Sequence, residues 1–168
     1  MKCIRPLVLA MIVSGMGMMS WSAAHADSTQ EAANKRLVID YFAALDRLET
    51  LDARDLKEQA RKAMTKYVRP DYIQHNELFA RFGQGSAGLI RMFESRLDAS
   101  NQSSKTMPLG TSRELAVMAE GDLVIRVNSR EQPDRSKPPL IIFNLFRIQD
   151  GLIAEHWDSM SGDLMPGQ

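Results

Sequence analysis

Phe146 to Asp158 reads FRIQDGLIAEHWD, and the way its two halves pair decides how the chain folds. Apolar residues flank a polar turn, and Gly151 supplies the positive φ that a tight connection needs. Two closures fit. One is a two-residue loop; the other is Gln149-Asp150-Gly151, a type I turn closed by a left-handed glycine bulge. We take the bulged loop as the expectation. It sets Ile148 opposite Leu152, Phe146 opposite Ala154 and Asn144 opposite His156. Alternation along a strand then places His156 and Asp158 on one face with Asn144 and Phe146. An imidazole and a carboxylate beside an aromatic ring and an amide are ingredients for proton chemistry. The two-residue loop would split the set between faces, so the functional reading hangs on register.

The residues before this hairpin change period. Leu37, Val38, Tyr41, Phe42, Leu45 and Leu48 recur at helical spacing, which predicts a helix over 30–49. A second is expected over 53–67 with Asp52 as its N-cap, and Pro70 ends helical structure beyond it. Tyr72-Ile73-Gln74-His75-Asn76 reads as a short strand or extended loop. A third helix is expected from about Ser86 to Ala99. Gly83, Gly85 and Gly88 near its start do not make a phosphate loop, because no strand feeds them and no Lys-Ser/Thr follows. From residue 110 the period is strand-like: 111–119, then 122–131, a proline-rich loop over 132–139, and the final hairpin. Helices first and strands later predict an α+β fold, with N-terminal helices packed on a curved antiparallel sheet that encloses a pocket.

The first 26 residues stand apart. Lys2 and Arg5 precede an apolar run from Leu7 to Trp21, and Ala24-His25-Ala26 gives an A-x-A cleavage site. This is the pattern of a secretory signal peptide cleaved after Ala26, leaving one domain over 27–168 in the periplasm or outside the cell. An uncleaved anchor is the alternative, but Gly15, Gly17 and Ser20 interrupt a run already short for a span. With the leader goes Cys3, the only cysteine, so the mature chain has no disulfide, thiol nucleophile or thiolate metal site. Lys2 and Arg5 leave too, so 19 basic side chains face 21 acidic ones, and no basic patch points to nucleic acid. Stable membrane insertion after cleavage is not expected. No G-x-S-x-G elbow suggests a serine hydrolase.

YIQHN (72–76) and FRIQDGLIAEHWD (146–158) together resemble the SnoaL-like polyketide cyclase family, within the nuclear transport factor 2-like superfamily of cone-shaped α+β folds. The resemblance spans roughly residues 32–160. It implies an internal pocket lined by His75, His156 and Asp158, metal-free and cofactor-free chemistry on a small apolar molecule, and a homodimer formed through the sheet. Two positions depart from the family's pattern. Asn144 stands where many relatives have aspartate, and Arg126 where many have histidine; an amide cannot act as a base. Cyclisation or isomerisation through an enolate needs a base next to a carbonyl and donors for the oxyanion. Asp158 is the candidate base, with His156 as alternative base or partner and His75 as a further catalytic candidate. Tyr72, Asn76, Arg126, Asn144 and Phe146 are the candidate binding residues. A non-catalytic ligand-binding or dimerisation module on the same fold is the other reading. His75, His156 and Asp158 would also make a two-histidine, one-carboxylate metal set, but the resembled family is metal-free.

Overall fold

The computed structural model describes residues 21–48, 53–102, 112–132 and 134–159. Its elements are α1 (Trp21–Leu48), α2 (Ala53–Tyr67), β1 (Val68–Gln74), α3 (Glu77–Ala80) and α4 (Gly85–Gln102), followed by β2 (Ser112–Glu120), β3 (Leu123–Arg130), β4 (Leu140–Gln149) and β5 (Leu152–Asp158). The expected N-cap Asp52 and the leader up to Ser20 lie outside the described residues. The helical backbone of α1 begins at Trp21 and runs through the expected cleavage point. No helix among the described residues is long and apolar enough to cross a membrane.

The five strands form one sheet in the order β1-β5-β4-β3-β2. Four are antiparallel neighbours, whereas β1 pairs with β5 in parallel. The chain reaches this parallel edge because α2 ends at Tyr67 and β1 starts at the next residue, without a loop. α1 packs on β2 and β3, α4 packs on β1, and α2 bridges α1 and α4. The core lies between these helices and the concave face of the sheet. Val38, Tyr41 and Leu48 of α1 meet Met64 and Tyr67 of α2, Leu89 and Phe93 of α4, and Phe146 of β4. Burying Phe146, 1% exposed, contributes on the order of 2–3 kcal/mol through lost apolar hydration.

The three glycines before and inside α4 serve close packing. Gly85 has φ +75°, and a Cβ on it would run into the Pro70 carbonyl oxygen; a Cβ on Gly88 would overlap the Gly83 carbonyl oxygen. The short helix α3 was not foreseen. Asn76 caps it by accepting a hydrogen bond from the Leu78 backbone N–H.

The hairpin corrects the expected turn. Gln149 pairs with Leu152, so the loop is two residues, Asp150 (φ 52°) and Gly151 (φ 72°), both left-handed as a type I′ turn requires. Ile148 pairs with Ile153 rather than Leu152. Ala154 is then an extra residue, a β-bulge, and beyond it Arg147 pairs with Glu155, Phe146 with His156 and Asn144 with Asp158. The shorter loop moves the register by one residue and the bulge moves it again. His156 and Asp158 therefore do share a face with Asn144 and Phe146, although Asn144 faces Asp158 and not His156. Arg69 fixes the turn from β1: its guanidinium donates to both carboxylate oxygens of Asp71 and, at 2.6 Å, to Asp150.

Candidate functional site

A cavity of about 130 Å³ opens between α1, α4 and the concave sheet face. Its apolar wall includes Tyr41, Phe42 and Leu45 of α1 and Leu89, Met92 and Phe93 of α4. Its polar wall comes from the sheet: Gln74, Asn128, Arg130, Asn144, His156 and Asp158. Asp46 adds a carboxylate from α1. The volume is close to the ~150 Å³ of an apolar cavity that holds benzene and below the ~300 Å³ at which pockets for larger ligands begin.

Asp158 ends β5, and its side chain is only 1% exposed. Asn76 donates to its Oδ1 at 2.5 Å, tying the end of β5 to the segment after β1. A carboxylate removed from water in this way is costly without such donors. His156 stacks face to face on Phe146, with ring centres 4.3 Å apart. Its Nδ1 lies 3.3 Å from Gln74 Nε2 and 3.9 Å from Asp158 Oδ2, and its Nε2 lies 3.2 Å from Asn144 Oδ1. Burial, with a smaller contribution from the nearby His75, pushes the imidazole pKa down to about 3, so His156 is neutral at physiological pH.

The amides continue as a line across the sheet. Asn144 Nδ2 donates to Asn128 Oδ1 at 3.0 Å, Asn128 Nδ2 donates to Ser112 Oγ at 3.1 Å, and Gln74 Nε2 donates to Tyr72 Oη at 2.9 Å. Burial also pushes the Tyr72 and Tyr41 hydroxyls well above their ordinary pKa, so both stay protonated.

The residues singled out from the sequence thus separate. Asp158, His156 and Asn144 line the cavity. Tyr72 and Phe146 lie buried behind it, and Asn76 reaches it through Asp158. Arg126 is buried on the same face, but its guanidinium lies 3.8 Å from the Phe42 ring centre and donates to Glu114, so it braces the wall. His75 is the correction. It stacks on Trp157 with ring centres 4.2 Å apart and meets Glu155 at 2.9 Å, on the opposite sheet face. Strand alternation explains this: Tyr72 and Gln74 turn inward, so His75 turns outward. The two-histidine, one-carboxylate set is therefore not assembled, and no cluster of three metal-ligating side chains occurs among the described residues. Gln74, Asn128, Arg130 and Asp46 were missed. The first three were legible in principle, because each is two residues along its strand from an inward residue or from another of the set.

No family model matches the chain, and no curated protein does. Several solved structures are similar. An LEH-like epoxide hydrolase from M. tuberculosis shares 13% identity over 77% of this chain and 83% of that one, with a TM-score of 0.48. A proposed polyketide cyclase from Sinorhizobium meliloti shares 21% over 59% and 81%, with a TM-score of 0.39. A de novo designed protein of the nuclear transport factor 2 fold shares 16% over 73% and 79%, with a TM-score of 0.43. The chain has an α+β arrangement, with helices covering the concave side of a curved, mostly antiparallel sheet.

Proposed function

We propose that the protein binds a compact, mostly apolar, carbonyl-bearing molecule in this cavity, and that Asp158 removes a proton from the carbon next to the carbonyl. The observation that carries the reading is a carboxylate 1% exposed on the wall of an otherwise mostly apolar hollow, with one oxygen already held by Asn76. The Asp158 carboxylate takes the proton, the electron pair of the C–H bond moves into an enolate, and the negative charge collects on the carbonyl oxygen. Asn128 and Arg130, on one face of β3, offer that oxygen an amide N–H and a guanidinium. Asp158 then returns the proton to another carbon, an isomerisation, or the enolate carbon attacks a second carbonyl and the alkoxide so formed takes the proton back from Asp158, an aldol-type closure. The cavity volume favours single-ring or short acyclic ligands.

The test is solvent deuterium uptake into a panel of small cyclic ketones and lactones. Exchange that is lost in Asp158→Asn, with binding retained, supports the reaction. Tight binding without exchange in the wild type leaves the second reading, a binding module without turnover. That reading is favoured by the engagement of both His156 nitrogens with amides, which takes the imidazole out of acid–base work.

Two further parts of the reading rest on other features. A homodimer through the outer sheet face is supported by Met118, Ile141 and Phe143, each about half exposed there. Light scattering of Phe143→Lys against wild type tests it. Export is supported by the leader and its A-x-A site, and N-terminal sequencing of the mature protein is the check.

A further inference from the structure

We propose that Asn144 and Gln74 are positioning residues that hold His156 as the neutral Nε2–H tautomer, leaving Asp158 to take the ligand's proton. Its bearing on proton transfer rests on the reading of this cavity as the ligand site; the tautomer itself does not. Each amide is pinned at its far end by a backbone group whose hydrogen-bonding role cannot change. The amide nitrogen of Asn144 faces the Arg126 backbone carbonyl at 3.4 Å as well as Asn128 Oδ1. A backbone carbonyl only accepts, so the NH2 end of Asn144 must lie there, and its Oδ1 turns to His156 Nε2. That nitrogen must then carry the hydrogen.

The other side gives the same answer independently. The Asn76 backbone N–H donates to Gln74 Oε1 at 3.0 Å. A backbone N–H only donates, so the oxygen end of Gln74 is fixed, and its NH2 end turns to Tyr72 Oη and His156 Nδ1. Nδ1 therefore presents a lone pair. Making the imidazolium would aim an N–H at the Gln74 amide donor, and flipping that amide would cost its bond with Asn76. Among the charged and titratable groups around the ring, Asp158 on β5 is the near one that favours a cation, with Asp46 on α1 across the cavity. His75 just after β1 and Arg126 and Arg130 on β3 oppose it, and the buried Tyr41 and Tyr72 stay neutral.

The test is long-range 1H–15N correlation of the His156 ring in the 15N-labelled protein, without ligand. The expected spectrum shows a protonated Nε2 and an unprotonated Nδ1, unchanged from pH 8 to pH 5. Asn144→Asp and Gln74→Glu each place a carboxylate on one ring nitrogen, and each is expected to raise the His156 pKa by about two units or more, so that the ring takes up a proton as the pH falls to 5. An Nδ1–H tautomer, or wild-type titration near the ordinary histidine value, overturns the proposal. So does a ring that stays neutral over the same range in both variants. If neither variant folds, the wild-type spectrum decides alone. Lost deuterium exchange with the Nε2–H spectrum intact removes the proposed reaction and leaves the tautomer; exchange with an Nδ1–H ring does the reverse.

Discussion

Acid should weaken this protein through one residue, and the size of the effect can be worked out. His156 has a folded-state pKa of about 3 against an ordinary value of 6.5. Between those values the unfolded chain binds a proton at this side chain that the folded chain refuses. Stability is therefore complete above pH 6.5 and falls as the pH drops toward 3. Linkage gives a loss from this residue of about 2 kcal/mol at pH 5 and about 3 kcal/mol at pH 4, relative to pH 8. The His156 side chain is 15% exposed, so solvent screening removes little of this. The assay is guanidinium unfolding at pH 8, 6 and 5 for wild type and His156→Gln. The variant begins less stable, because it loses the stack on Phe146, but it should lose about 2 kcal/mol less between pH 8 and pH 5. Equal losses in the two proteins would refute the reasoning and show that the buried ring is reached by a proton without unfolding.

Gly88→Ala and Gly151→Ala should separate two kinds of glycine. The first drives a methyl group into the Gly83 carbonyl and should cost at least about 2 kcal/mol by denaturant unfolding; the second has open space and should cost only the left-handed backbone, about 1 kcal/mol. Phe146→Ala removes a ring that is 1% exposed and carries His156, and should lower stability by about 3–5 kcal/mol in the same assay. Asn76→Ala removes both the cap of α3 and the donor to Asp158; a loss of about 1–2 kcal/mol is expected, together with altered deuterium exchange, which a cap alone would not change.

The helices were legible because their apolar stripes are long. Val38, Tyr41, Leu45 and Leu48 recur over three turns, and nothing else explains that spacing. The four residues of α3 carry no period, and only Asn76 before them signals a start. The hairpin was legible as a hairpin, but its two irregularities were not. A glycine after an aspartate suits either loop, and nothing about alanine marks a bulge at 154. The expected set of inward residues held because the turn and the bulge each displace the register by one. His75 shows the opposite case. The family resemblance implied that it lines the pocket, while alternation from the buried Tyr72 already turned it outward. The amide line through Gln74, Asn144 and Asn128 was invisible for a different reason: three amides on three strands mean nothing until the strand order sets Asn144 beside Asn128 and puts His156 between Asn144 and Gln74.

Ala154 contributes little as a side chain, yet its standing outside the ladder sets the sidedness of everything after it. Pairing that one residue with Arg147, instead of leaving it out of the ladder, would roll the rest of β5 by half a turn. Glu155 and Trp157 would then enter the hollow, and imidazole and carboxylate would go out to water. At the end of this sheet, inside and outside are stored as a count of residues rather than as the identity of any of them.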